Sequence, residues 1–172
     1  MTSAGITRWT DNRIGNMDDA VPRIHNSPYD NFLITGLLAK IIKTLPENYA
    51  LRPQLLQVVK EDYSYALAGF KKTGFTHEPI FWEHTYNTSK SLFLATMSWT
   101  AALMHQLTGE AVYQEQMTEW FEELLRCQEQ AGLELSDGTM LKGMFYRDES
   151  HKVFQHFNHQ AREHLYALAF EE

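Results

Sequence analysis

Leu92-Phe93-Leu94-Ala95-Thr96-Met97-Ser98-Trp99-Thr100-Ala101-Ala102-Leu103-Met104-His105-Gln106-Leu107-Thr108-Gly109-Glu110 is the stretch from which the architecture can be read. Large apolar side chains fall on every side of its helical projection, and the only nearby charge upstream is Lys90. A helix apolar nearly all round is a buried one. Thr108-Gly109 ends it, glycine being the favoured residue just past a helix. The next segment, Glu110 to about Gln128, is amphipathic: Val112, Tyr113, Met117, Trp120, Phe121, Leu124 and Leu125 oppose Glu115, Glu119, Glu122, Glu123 and Arg126. A buried helix, a short turn and an amphipathic helix make an antiparallel hairpin with an inner and an outer member.

The same unit occurs upstream. Asp30 to about Leu45 reads as a helix with Ile34, Leu37, Leu38, Ile41 and Leu45 at helical spacing. Its few charges predict that most of its circumference is buried, and Pro46 stops it. Arg52 to Phe70 comes next, with Pro53 in the favoured first turn and one stripe of Leu55, Val59, Tyr63, Ala66 and Phe70. A fifth helix is predicted from about Asn158 or His159. Residues 1–28 form an irregular lead-in and 29–172 a helical-hairpin array, so the fold class is all-α and one domain is expected. The connections near 46–51 and 108–109 are short, whereas 71–87 and 131–158 are long. The long loops and the lead-in therefore share one rim, each feeding a buried helix. Long loops on a rigid scaffold are where binding groups concentrate. The turn signal Ser136-Asp137-Gly138 allows a small β-hairpin there.

Composition narrows the function classes. At 44% hydrophobic and 13% aromatic, the chain can bury a sizeable core. A net charge of −7 without a basic cluster argues against nucleic acid and anionic membrane as partners. No apolar run approaches the roughly 18 residues of a membrane-spanning helix, and the first residues lack the blocks of a signal peptide. One cysteine, Cys127, excludes an internal disulfide and reads as a packed thiol.

The chemistry-bearing residues gather on the predicted rim. Gly132 to Ala167 holds Gly143-Met144-Phe145-Tyr146-Arg147-Asp148-Glu149 and four of the eight histidines, His151, His156, His159 and His164. His25-Asn26-Ser27, His84-Thr85-Tyr86-Asn87 and His156-Phe157-Asn158 each precede an expected buried helix. Their asparagines read either as N-caps or as parts of a repeated rim site. Phe81, Trp82, Tyr86, Phe145 and Tyr146 are candidate stacking platforms. Arg147 offers a planar donor fork, and His84, His156 and His159 offer hydrogen-bonding rings. Asp18, Asp19, Asp148 and Glu149 are the candidate carboxylates. His159 and Glu163 stand one helical turn apart, with His156 and His164 nearby. They lack the His-Glu-x-x-His spacing of a zinc site, so no metal is expected. No phosphate-binding glycine loop or nucleophile elbow occurs, and no cofactor is expected.

The phrases Ser98 to Tyr113 and Leu124-Leu125-Arg126-Cys127-Gln128-Glu129, with Gly143 to Asp148 followed by His156-Phe157-Asn158-His159, resemble the hairpins of six-hairpin glycosidases. Family 9 glycoside hydrolases are the nearest. The resemblance covers about Pro28 to Glu172. It implies a segment of an (α/α)6 toroid acting on a polysaccharide or oligosaccharide. Two departures qualify it. The family's ring has about a dozen helices against about five here, so the chain looks like part of a toroid. The family's water-activating Asp-Ala-Gly-Asp has only Asp18-Asp19-Ala20 as a counterpart, and nothing before Glu172 matches the surroundings of its acid glutamate. Inverting hydrolysis needs an acid and a base about 6.5–9.5 Å apart. The chain alone is therefore expected to bind sugar weakly without cleaving it. The rival reading is a non-enzymatic helical-hairpin module that binds a protein partner through the same rim.

Overall fold

The computed structural model describes residues 27–76, 88–155 and 164–172. They form five helices and one short antiparallel strand pair: α1 (Pro28–Thr44), α2 (Arg52–Thr73), α3 (Lys90–Thr108), α4 (Ala111–Leu125), β1 (Leu133–Glu134), β2 (Met140–Leu141) and α5 (His164–Glu171). The protein is mostly helical, as expected from the apolar spacing.

Local chemistry sets the helix ends. Pro28 opens α1, where its missing N–H costs nothing because the first turn has no intrahelical acceptor for it. The residue ahead of α1 is Ser27, and that ahead of α3 is Ser89, whose hydroxyl accepts from Leu92 N at 3.2 Å. Serines therefore occupy the cap positions for which Asn26 and Asn87 are the candidates by sequence. Gly109 closes α3 at φ 70°, and its N–H donates to the His105 carbonyl, a conformation that costs glycine little. The fourth helix stops at Leu125 rather than near Gln128, because the chain turns at 126–127 and Gln128 pairs with Phe145 instead.

The helices lie in two layers. Tyr29 meets Phe93 with ring centroids 5.4 Å apart, Thr100 donates to the Phe32 carbonyl at 2.9 Å, and Lys43 reaches Gln106. Partner numbers rise together, so α1 and α3 run parallel. By the same reasoning α5 runs parallel on another side of α3, with Ser91 bonded to the Tyr166 hydroxyl at 2.8 Å and Gln106 to Glu172. α2 and α4 return antiparallel and meet each other through Lys60–Glu110, Tyr63–Gln116 and the Tyr63–Tyr113 edge contact. The inner helix α3 is buried without a break from Ser91 to Met104. Helices α1 and α3 approach closely at Gly36, where an added Cβ would lie 2.5 Å from the Trp99 ring and 2.6 Å from Thr100 Oγ1.

Two expectations about faces are corrected. Helix α1 is buried through Tyr29, Phe32, Thr35, Gly36, Ala39 and Ile42, while Ile34, Leu37 and Ile41 are 59%, 47% and 55% exposed. Its apolar residues cover two faces, and the described chain covers one. On α4, Val112 at the first turn is exposed rather than inward. The α2 stripe is as expected, with Val59, Tyr63 and Ala66 buried. Among the described helices, none is long and apolar enough to cross a membrane.

Candidate functional site

The N-termini of α1, α3 and α5 and the C-termini of α2 and α4 share one end of the layers. The chain from Arg126 to Gln155 is folded across that end. It begins as a hairpin around Ser136-Asp137-Gly138: Asp137 Oδ1 accepts from Thr139 N at 2.9 Å, and Leu133 and Glu134 pair with Leu141 and Met140. Further down, Gln128 bridges to Phe145. One more residue separates Gln128 from Leu133 than separates Phe145 from Leu141, a bulge of the kind that re-aims side chains. The chain then doubles back, so that Phe145–Arg147 lies between two neighbours. Tyr146 N donates to the Cys127 carbonyl at 2.8 Å, Arg147 N to Val153, and Gln155 N to Phe145, each at 2.8 Å.

Arg147 locks this loop to the start of α3. Its carbonyl accepts from Ser91 N at 3.0 Å, one of the first-turn N–H groups a helix leaves unsatisfied. Its guanidinium Nη2 donates to the Thr88 carbonyl at 2.9 Å. Lys90, in the first turn of α3, pairs with Glu149 at 2.9 Å and Glu123 at 3.4 Å and lies over the Phe75 ring. Burial opposes its charge, but the two carboxylates outweigh burial and hold its pKa above the usual lysine value.

Tyr146 is the centre of a stack of three rings. His151 lies 4.2 Å from its centroid at 14° and Phe154 4.4 Å at 18°, on opposite faces. The hydroxyl donates to Glu129 Oε2 at 2.8 Å, and Glu129 Oε1 accepts from Gly132 N at 2.8 Å. The Tyr146 bond, then the Gly132 bond, hold the Glu129 carboxyl below its ordinary pKa. His151 has φ 56°, an uncommon backbone region for a residue with a side chain. Its Nε2 lies 2.8 Å from the Arg126 carbonyl. Beside it opens a hollow of about 470 Å³ whose polar lining is Arg126, Gln128, Glu129, Gln130 and His151.

The expected site residues divide accordingly. Tyr146, Arg147 and Asp148 share the rim near the N-terminus of α3. Tyr146 has both ring faces covered, so no face is left for a sugar. Phe145 stacks on Tyr166 at 4.2 Å and 7° in the core and is likewise no platform. Asp148 Oδ1 accepts from Ser150 N at 2.9 Å, and bonds from Ser150 hold its pKa below the usual carboxylate range. Glu149 is also held low, by a backbone N–H and then by Lys90. Asp18, Asp19, Phe81, Trp82, His84, Tyr86, His156, His159 and Glu163 lie outside the described residues. Among the described residues, no group of histidine, cysteine and acidic side chains is placed to hold a metal. Cys127 is buried, and burial pushes its thiol up to about 11, which makes it a poor nucleophile.

Glu129 and His151 are the residues whose positions the helical period does not mark. A signal for Glu129 exists. Pairing the chain outward from Asp137 brings Glu129 opposite Phe145–Tyr146, but only once the loop is taken as a hairpin. The fold and rim together define an all-α array of helical hairpins with a hairpin loop closed over one end. No protein-family model matches the chain, and no curated protein or solved structure is significantly similar to it.

Proposed function

We propose that the chain is a carbohydrate-binding segment of a family 9-like, (α/α)6-toroid glycoside hydrolase, with its polysaccharide or oligosaccharide at the rim where α1, α3 and α5 begin. The observation that supports this reading is the layering: parallel inner helices, antiparallel outer helices, and the longest described loop anchored by Arg147 at the inner helices' N-terminal end. Catalysis is a separate matter. A general acid needs a pKa raised toward the working pH, whereas Glu129, Asp148 and Glu149 are all held low. These three carboxylates therefore suit positioning rather than proton donation, and the expectation for the segment alone is binding without cleavage.

The test is a panel of soluble β-glucans, xylans and uronic-acid polymers, read by thermal shift and by reducing-sugar release. The expected outcome is a shift with a neutral glycan and no release, with Asp148→Asn leaving the shift unchanged. Release that disappears in Asp18→Asn, Asp19→Asn or Asp148→Asn would show a working catalytic carboxylate. A flat thermal response to every glycan would overturn the carbohydrate reading. A second reading, a helical module for a protein partner, is favoured by the exposed stripe Ile34, Leu37 and Ile41 of α1. A second copy, or the remainder of a toroid, would also seat there.

A further inference from the structure

Resting on the carbohydrate reading, we infer that the hollow between the end of α4 and His151 is a subsite for one neutral glycosyl unit, with the His151 imidazole as its platform. Tyr146 covers one face of that ring, and His151 lines the hollow while remaining exposed. Tyr146 thus holds the ring on one face, and the exposed side chain borders the hollow. Its orientation is fixed as well. The Arg126 carbonyl can only accept, so Nε2 carries the proton, and in the neutral imidazole Nδ1 is left as an acceptor.

The remaining lining completes a set of both donors and acceptors. Gln128 and Gln130 spend an amide N–H on the Gly143 and Leu125 carbonyls, which orients each amide and leaves its oxygen able to accept. Arg126 supplies N–H donors. Glu129, ionised and steadied by Tyr146 and Gly132, balances the arginine charge. A sugar presents a C–H face that packs on an aromatic ring and a rim of hydroxyls that both donate and accept. A balanced pair of opposite charges beside a ring suits a neutral sugar better than a charged ligand. His151 holds a positive φ, a backbone region that asparagine tolerates. His151→Asn therefore removes the platform while keeping the turn.

The experiment titrates neutral β-gluco- and xylo-oligosaccharides into the full chain and follows the histidine ring signals by NMR. The His151 signals are assigned by their loss in His151→Asn. At saturation the His151 ring protons shift, and His151→Asn and Arg126→Ala each bind about tenfold more weakly, the size expected from a lost ring contact or hydrogen bond. Lys152→Ala, beside the turn but outside the hollow, binds as the wild type. Binding that leaves the His151 signals unmoved, with both variants unimpaired, overturns the subsite and leaves the carbohydrate reading standing. No response from any part of the chain to any glycan overturns both. A response to uronic-acid oligomers alone overturns the assignment to a neutral unit.

Discussion

The Tyr146 hydroxyl and the Glu129 carboxylate, 2.8 Å apart at the foot of the rim loop, set each other's ionisation. The bond holds the carboxyl below its ordinary pKa and the phenol above its own. A carboxyl whose folded pKa is depressed contributes stability that is fully present above its unfolded value, about 4.3, and lost as pH falls through the folded value. Tyr146→Phe keeps the ring stack and removes the donor. It is expected to melt below the wild type by a constant margin from neutral pH to about pH 5, the margin narrowing as pH falls further. Melting curves from pH 7 to pH 3 check this. A margin that persists undiminished at pH 3 would mean that the bond does not govern the Glu129 proton.

At the scale of an element, α1 is the instructive helix. It carries apolar residues on two faces, and the face that touches α3 is the one with the small residue. Gly36 admits the Trp99 ring and Thr100 hydroxyl where a methyl group would overlap both. Two effects compete in Gly36→Ala. Alanine is the better helix former by about 1 kcal/mol, whereas overpacking a tight contact costs about 1–3 kcal/mol. The neighbours are a fully buried indole and a hydroxyl already bonded to the Phe32 carbonyl, so neither gives way easily and the steric cost wins. Urea denaturation is expected to show a net loss of roughly 1 kcal/mol. A more stable Gly36→Ala protein would show that α1 and α3 do not approach so closely.

At the scale of the molecule, the described helices leave an apolar edge of α1 exposed. Ile34, Leu37 and Ile41 form a stripe without charge on α1, and contiguous exposed apolar surface marks an interaction site more often than it occurs idly. Two apolar residues of the other inner helices behave differently. Leu92 is fully buried by the chain itself, while Phe170 is half exposed but rests on Phe121 and Phe145. Light scattering over a concentration series is expected to show self-association that Ile34→Glu with Ile41→Glu abolishes, leaving helicity intact. A wild type that stays monomeric throughout would remove self-association as the role of the stripe.

The features legible in the residues are those that depend on near neighbours. The five helices, the stops at Pro46 and Gly109, the turn at Asp137 and the inner and outer roles of α3 and α4 come from apolar period, proline, glycine and local hydrogen bonds. These act within a turn or two of the chain. Which face of α1 is covered is not legible, because a helix apolar on two sides gives one periodic signal and the choice belongs to its neighbours. Nor is the use of Tyr146, an aromatic on a loop that reads equally well as a platform or as the middle of a stack. Its partners Glu129, His151 and Phe154 reach it through a bulged hairpin and a second reversal of the chain, and the register of those pairings is set by packing on the end of α3. Local preference selects elements; long-range packing selects which side chains are spent on structure and which are left to meet a ligand.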